Sequence, residues 1–172
     1  MSLNTDAIFL RALTRSEDIA ELVGDRIYST AIPVPEAELD NEPLPYIIVS
    51  FDGFQSQDDT KDDEYDSDYD TVQIGVEMAA ETRPALARLA RLVRKTIRDY
   101  FVMLQGATIS ELDEEDQEVA DLLPLSAMPN GGQVNYYDMK PCFWLNLQYA
   151  CDTKSDLDDE YEEDNSQEPA GE

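Results

Sequence analysis

The stretch from Thr82 to Leu104 constrains the fold most, because its apolar and cationic residues separate cleanly around a helical wheel. Counted at about 100° per residue from Leu86, the side chains of Leu89, Ala90, Val93, Ile97, Tyr100, Phe101 and Leu104 share one arc of roughly 120°. Arg88, Arg91, Arg94, Lys95 and Arg98 fill the facing arc without mixing. Thr82 suits an N-cap, Pro84 falls in the first turn where its missing N–H costs nothing, and Gly106 offers a stop. Just upstream, Val72, Ile74, Val76 and Met78 alternate with Thr71, Gln73, Gly75 and Glu77, the pattern of a half-buried strand. With Arg83, this helix holds half of the 12 basic residues in a chain of net charge −27. Such a ladder of cations calls for an acidic partner, in the same chain or in a second copy.

At 172 residues the chain is expected to form one α+β domain over residues 1–151, followed by an acidic disordered tail at 152–172. The acidic balance argues against autonomous or sequence-specific nucleic-acid binding and against anionic membranes, both of which need Lys and Arg. No apolar run approaches the roughly 20 residues needed to span a bilayer, and no basic-then-apolar leader opens the sequence, so a soluble, cytosol-made chain is expected. Cys142 and Cys151 stand on one expected strand, nine residues and roughly 30 Å apart, which favours two free thiols over a bridge.

In chain order, Asn4 or Thr5 caps a short helix with Ile8, Phe9, Ala12 and Leu13 as its apolar stripe. Ser16 caps a second, with Glu17 and Asp18 at the dipole-favoured end, Ile19, Leu22 and Val23 inward, and Gly24 as its stop. Asp25 to Tyr28 reads as extended, and the proline-bearing stretch from Ser29 to Pro43 as an irregular arm. Leu44 to Phe51 is the strongest strand signal, apolar on both faces and so expected to be covered on both. Asp58 to Asp70 sets eight acids against Lys61 and is expected to be a solvated loop. Ala107 to Leu112 is compatible with a strand, Asp113 to Glu118 is an acid run, and Val119 to Ala127 is an edge strand or loop. Asn130-Gly131-Gly132 gives a turn signal, and Cys142 to Cys151 a last strand. Tyr46, Phe51, Trp144 and Tyr149 are assigned to the core. Together these predict a mixed or mostly antiparallel sheet packed against an N-terminal helical pair and one long amphipathic helix.

Two sharper chemistries fail on the residues. Asp66, Asp68, Asp70 and Glu77 match the spacing of a calcium-loop template, but Thr71 stands where glycine is required and the following residues alternate as a strand. No resident metal or cofactor is expected. Catalysis lacks its usual general base, because the chain has no histidine, and neither a nucleophile elbow nor a phosphate loop is present. The chain is therefore not expected to be an enzyme.

The order Leu22-Val23-Gly24-Asp25-Arg26-Ile27-Tyr28, a proline-bearing gap, then Pro45-Tyr46-Ile47-Ile48-Val49-Ser50, resembles a known family. The alternating strand to Met78 and the helix with Ala85, Leu89 and Val93 complete the pattern. It resembles the small tail-completion proteins of long-tailed phages and prophages, also called head-to-tail joining or tail-terminator proteins. The likeness spans about Leu3 to Phe101 plus the last strand; the loop at 58–70 and an insertion at 107–140 lie outside it. The resemblance implies an α+β fold and a ring, commonly hexameric, at the head-proximal end of the tail. It also implies the tail tube protein and head–tail connector as partners, and the virion tail as location, with the host cytoplasm during assembly. Arg88, Arg91, Arg94, Lys95 and Arg98 are the interface candidates, either as a solvated face or as a surface that docks on a neighbour's acids. The acid runs fit solubility, or an anionic ring lining along which DNA slides. An acidic binding protein that mimics DNA and occupies basic surfaces is the alternative from another class.

Overall fold

The computed structural model describes residues 4–31, 43–56, 69–120, 122–124, 126–137 and 142–154. Most of the expected irregular arm and acidic loop, and the tail beyond Lys154, lie outside these residues. Helices α1 (Asp6–Thr14) and α2 (Glu17–Val23) open the chain, followed by strands β1 (Ile27–Ser29), β2 (Tyr46–Ser56) and β3 (Tyr69–Ala80). The long helix α3 (Arg83–Gly106) leads through a single 3-10 turn, Ile109–Glu111, into α4 (Glu114–Ala120), then β4 (Ser126–Tyr137) and β5 (Cys142–Lys154). The strands form one five-stranded sheet in the order β1-β2-β3-β5-β4. Only the short β1–β2 pair is parallel; β2–β3, β3–β5 and β4–β5 are antiparallel. The α+β class and the mixed sheet are as the sequence predicts.

The local signals account for these elements. Thr82 Oγ1 accepts from the Ala85 N–H at 3.3 Å with Pro84 in the first turn, and Ser16 Oγ accepts from the Ile19 N–H at 3.3 Å. Gly24, at φ +62°, ends α2 in a conformation that costs a side chain dearly. The whole predicted arc of α3, from Leu86 to Leu104, is buried, and each fully buried large side chain contributes about 1.5–3 kcal/mol. Its cationic face offers far less, since an exposed helix pair such as Lys95–Asp99 contributes about 0.3–0.5 kcal/mol. The apolar face therefore fixes the helix and leaves the cationic face available.

The helices cover one face of the sheet. Ile47, Val49, Val72, Ile74, Val76 and Met78 are fully buried beneath them, and α1 and α3 both pack on the sheet. Phe9 joins three elements, its ring meeting Phe101 at 5.3 Å and Tyr149 at 5.1 Å in edge-to-face contacts. Cys142 and Cys151 are buried thiols, not joined to each other in a disulfide.

Several expectations are corrected. Burial in β2 alternates: Ile47 and Val49 are fully buried while Tyr46 and Ile48 are only half-buried, so among the described residues the two faces of the strand are not covered equally. Of the four aromatics assigned to the core, Tyr149 is buried and Phe51 is half-buried against the core cluster, whereas Tyr46 and Trp144 are half-buried outside it. Ala107 to Leu112 is no strand; Thr108 and Glu111 close a capping box around the 3-10 turn. Asn130-Gly131-Gly132 is not a hairpin tip. It lies inside β4, where the register slips between Pro129 and Gly131 and Gly131 takes φ +139°, a bulge that an L side chain resists.

The acidic boundaries also move. Asp70 belongs to β3 and is buried, and Asp152 is held in β5, where Thr71 Oγ1 donates to its Oδ1 at 2.9 Å and Ser126 Oγ to its Oδ2 at 2.7 Å. Asp70 shares the strand parity of Val72 and Glu77 that of Gly75, so those two acids of the calcium template lie on opposite sheet faces; Asp66 and Asp68 lie outside the described residues.

Candidate assembly interface

Arg88, Arg91, Arg94, Lys95 and Arg98 are all exposed along α3, as the helical wheel requires. The fold sorts them into two groups. Arg91, Arg94, Lys95 and Arg98 form one wall of a groove of about 420 Å³ between α3 and the sheet edge. Ile97, Phe101 and Tyr149 lie deeper in it, and Ala127 and Pro129 of β4 line its other side. Arg88 is not part of this groove. It lines a separate depression with Asp18, Glu21, Arg91 and Lys95, and another with Leu22, Leu44 and Pro45.

Among the described residues, most of the groove's charge has no carboxylate partner. Lys95 Nζ pairs with Asp99 Oδ2 at 2.8 Å and Arg98 Nη2 with Asp99 Oδ1 at 3.0 Å, so one carboxylate serves two cations. Hydrogen bonds from Lys95 and then Arg98 hold the Asp99 carboxyl below its usual range. Arg91 Nε donates to the Ala87 carbonyl of its own helix at 3.3 Å. Arg94 has no ion pair among the described residues. It acts instead on Tyr149, whose hydroxyl burial pushes up to about 12 while the Arg94 charge works in the opposite direction.

The far side of the groove is the outer edge of the sheet. β4 pairs only with β5 among the described strands, so its other edge offers unpaired backbone groups. All 12 residues of this strand are uncharged, in a chain where 30% are charged. Met128, Val134 and Tyr136 stand 66%, 47% and 53% exposed along it. An uncharged edge with exposed apolar side chains, beside a cationic groove, has the composition of a surface that suits another protein. Among the described residues no group of three or more His, Cys, Asp or Glu could hold a metal ion, and no helix is long and apolar enough to cross a membrane.

A second charged cluster escaped sequence reasoning. Asp116, inside the acid run, is buried, and it accepts from Arg11 Nε at 3.3 Å, Tyr100 Oη at 2.7 Å and the Arg15 guanidinium. Asp113 caps α4, its Oδ1 accepting from the Asp116 N–H at 2.8 Å, and also pairs with Arg15. Arg11 reaches Glu115 as well. These contacts clamp α4 onto α1 and α3 and thereby anchor the segment leading into β4. The cluster is structural, since each charge in it is met by another. Arg11 in α1 and Arg15 at its C-terminal cap, four apart beside an apolar stripe, were the sequence hint that acids would meet them.

Fold and surface together give an α+β chain with a cationic groove beside an uncharged sheet edge. No protein-family model and no curated protein sequence matches it. Among solved structures, the fold is similar to that of a chain in the virion of a native gene transfer agent particle, with a TM-score of 0.53 and 12% identity. The match covers 87% of this chain and 94% of that one.

Proposed function

We propose that this chain is a structural virion protein of a phage or phage-like particle, which joins or terminates the tail tube as a ring at its head-proximal end. The fold shared with a gene transfer agent virion chain, over nearly the full length of both, carries this reading. The tail-completion resemblance in the sequence supports it independently. The two surfaces needed for a closed ring differ from each other, as heterologous contacts demand. One is the cationic face of α3, and the other would be an acidic surface of the next copy. The uncharged edge of β4 lies beside the first and extends it. Tail tube protein and head–tail connector are the further partners, and one domain over 1–151 with an acidic extension is the unit that assembles.

The test is charge reversal. Arg91→Glu with Arg94→Glu is expected to abolish ring formation on tail tubes seen by electron microscopy, and any free oligomer seen by light scattering at low salt. Rings that form unchanged would overturn the role given to this face. The DNA-mimic alternative draws on the net charge of −27. It would replace the ring reading if the chain captured basic DNA-binding proteins from a defined panel and ignored tube and connector.

A further inference from the structure

We infer that the groove between α3 and β4 is the docking site of the chain's own acidic segment 155–172, held there in cis. Three observations converge on this occupant. The first is position. Tyr149, on the groove floor, belongs to β5, and that strand leaves the sheet at Lys154, only five residues further on. Ala127, on the opposite wall, pairs with Cys151, so the strand runs out along the end of the groove. The second is charge. Segment 155–172 has nine acids and no base, and the groove wall has Arg91, Arg94, Lys95 and Arg98 with Asp99 as their one carboxylate partner among the described residues.

The third is pattern. Leu157 and Tyr161 interrupt the acids four residues apart, and the groove offers an apolar floor of Ile97, Phe101 and Tyr149 beneath its cations. Reach is no obstacle: eighteen extended residues span up to about 60 Å, while the helix from Arg91 to Gln105 is about 21 Å long. The acidic segment at 57–68 is the competing occupant from within the chain, because Ser56 and Tyr69 leave and re-enter the sheet at the same end. It issues from the β2–β3 columns, however, and the groove lies over β5 and β4. With the tail seated, four of the five interface cations are covered. The tail would then act as an internal competitor that a neighbouring subunit displaces; that consequence rests on the proposed function, whereas the docking itself does not.

Zero-length cross-linking of the full chain with a water-soluble carbodiimide tests the docking directly, because Lys95 is the one amine in the groove. The expected product is an amide between Lys95 Nζ and a carboxylate within 156–164, found by peptide mass spectrometry in the monomer fraction. Lys154, next to the tail in sequence, supplies the control that its carboxylates are activated. The Lys95 link should fall several-fold in 1 M salt, where the Debye length is about 3 Å. It should fall likewise in the exposed-site variant Arg91→Gln/Arg94→Gln. Links from Lys95 to Asp99 alone, or to 57–68, would overturn the assignment. So would links found only between differently isotope-labelled copies, which would make a second chain the occupant. Ring assembly is not read in this experiment, so its outcome is separate from that of the proposed function.

Discussion

Tyr100 donates its phenolic hydrogen to Asp116 Oδ1 across 2.7 Å, and both side chains are buried. The contact ties the last turns of α3 to α4, and the guanidinium groups of Arg11 and Arg15 complete the carboxylate's shell from α1. Removing the carboxylate strands two cations that are themselves partly covered. Asp116→Ala is expected to lower stability by about 3 kcal/mol, the low end for breaking a buried pair, because Asp113 and Glu115 still face the arginines. Tyr100→Phe should cost about 1.5 kcal/mol, as a hydrogen bond to a charged acceptor does. Urea denaturation of both variants and their double mutant measures this. Strictly additive losses would show that the contact contributes nothing of its own.

Alkaline pH should unfold the protein through β5. Burial pushes the Cys151 thiol up to about 12, with the Asp152 charge adding to it, and pushes the Tyr149 hydroxyl up to about 12 as well. Their ordinary values are 9.0 and 10.0. The unfolded chain therefore loses these protons first. The stabilisation is complete below about pH 9 and drains away as pH rises toward 12. The melting temperature should fall between pH 9 and 11, and Tyr149→Phe should flatten part of that slope. Thiol reagents at pH 8 should label neither cysteine until denaturant is added.

Much of this fold is legible in the sequence because two periodicities dominate it. The 3.6-residue arc of α3 and the two-residue alternation of β3 each name their buried residues correctly, from Leu86 to Leu104 and from Val72 to Met78. What fails is whatever depends on a partner distant in sequence. Asp116 is indistinguishable from Glu114, Glu115 and Glu118 until Arg11 and Arg15 are placed across from it. Gly131 and Gly132 look like a turn until β5 supplies the ladder that turns them into a bulge. The candidate site divides in the same way. The five cations follow from the wheel, but the groove does not, since its far wall is an edge strand whose first residues read equally as loop. Arg88 shares their helical face yet falls outside the groove.

The open face of the sheet has one group held at a cost. Burial raises the Glu77 carboxyl above its usual range, and the nearby Asp52 charge raises it further. Both states hold the proton well below the ordinary value of 4.5, and the folded state binds it more tightly as pH rises through that value. Stability attached to this group is thus present at low pH and lost at neutral pH. Glu77→Gln should raise the melting temperature by roughly 1–3 °C at pH 7, as a few tenths of a kcal/mol upward would do in a chain of this size. The gain should shrink toward zero as the pH is lowered below the ordinary carboxylate range. An amide at this register also places an N–H beside Asn146, whose Oδ1 is buried and lacks a hydrogen-bond partner among the described residues. A gain that persists unchanged in acid would assign the effect to that amide and not to the removed charge.

Gly132 and Val134 sit two residues apart on β4 and should respond oppositely to substitution. A Cβ at Gly132 would stand 2.9 Å from Leu147 Cδ2 and 3.1 Å from the Asn146 carbonyl oxygen. The leucine can turn, but the carbonyl belongs to the paired strand and cannot. Gly132→Ala is expected to destabilise the fold by about 1 kcal/mol, the lower range for overpacking. Val134 is 47% exposed on the edge strand, so Val134→Lys should change monomer stability by no more than about 0.5 kcal/mol. On the proposed function its effect should fall on assembly, because a charge on an edge strand blocks addition of a further strand. Urea midpoints of the two variants, set beside their yield of rings on tail tubes, separate the roles. A lysine at 134 that unfolds the monomer would show that β4 is held by contacts on its outer side, and one that assembles normally would remove the edge from the interface.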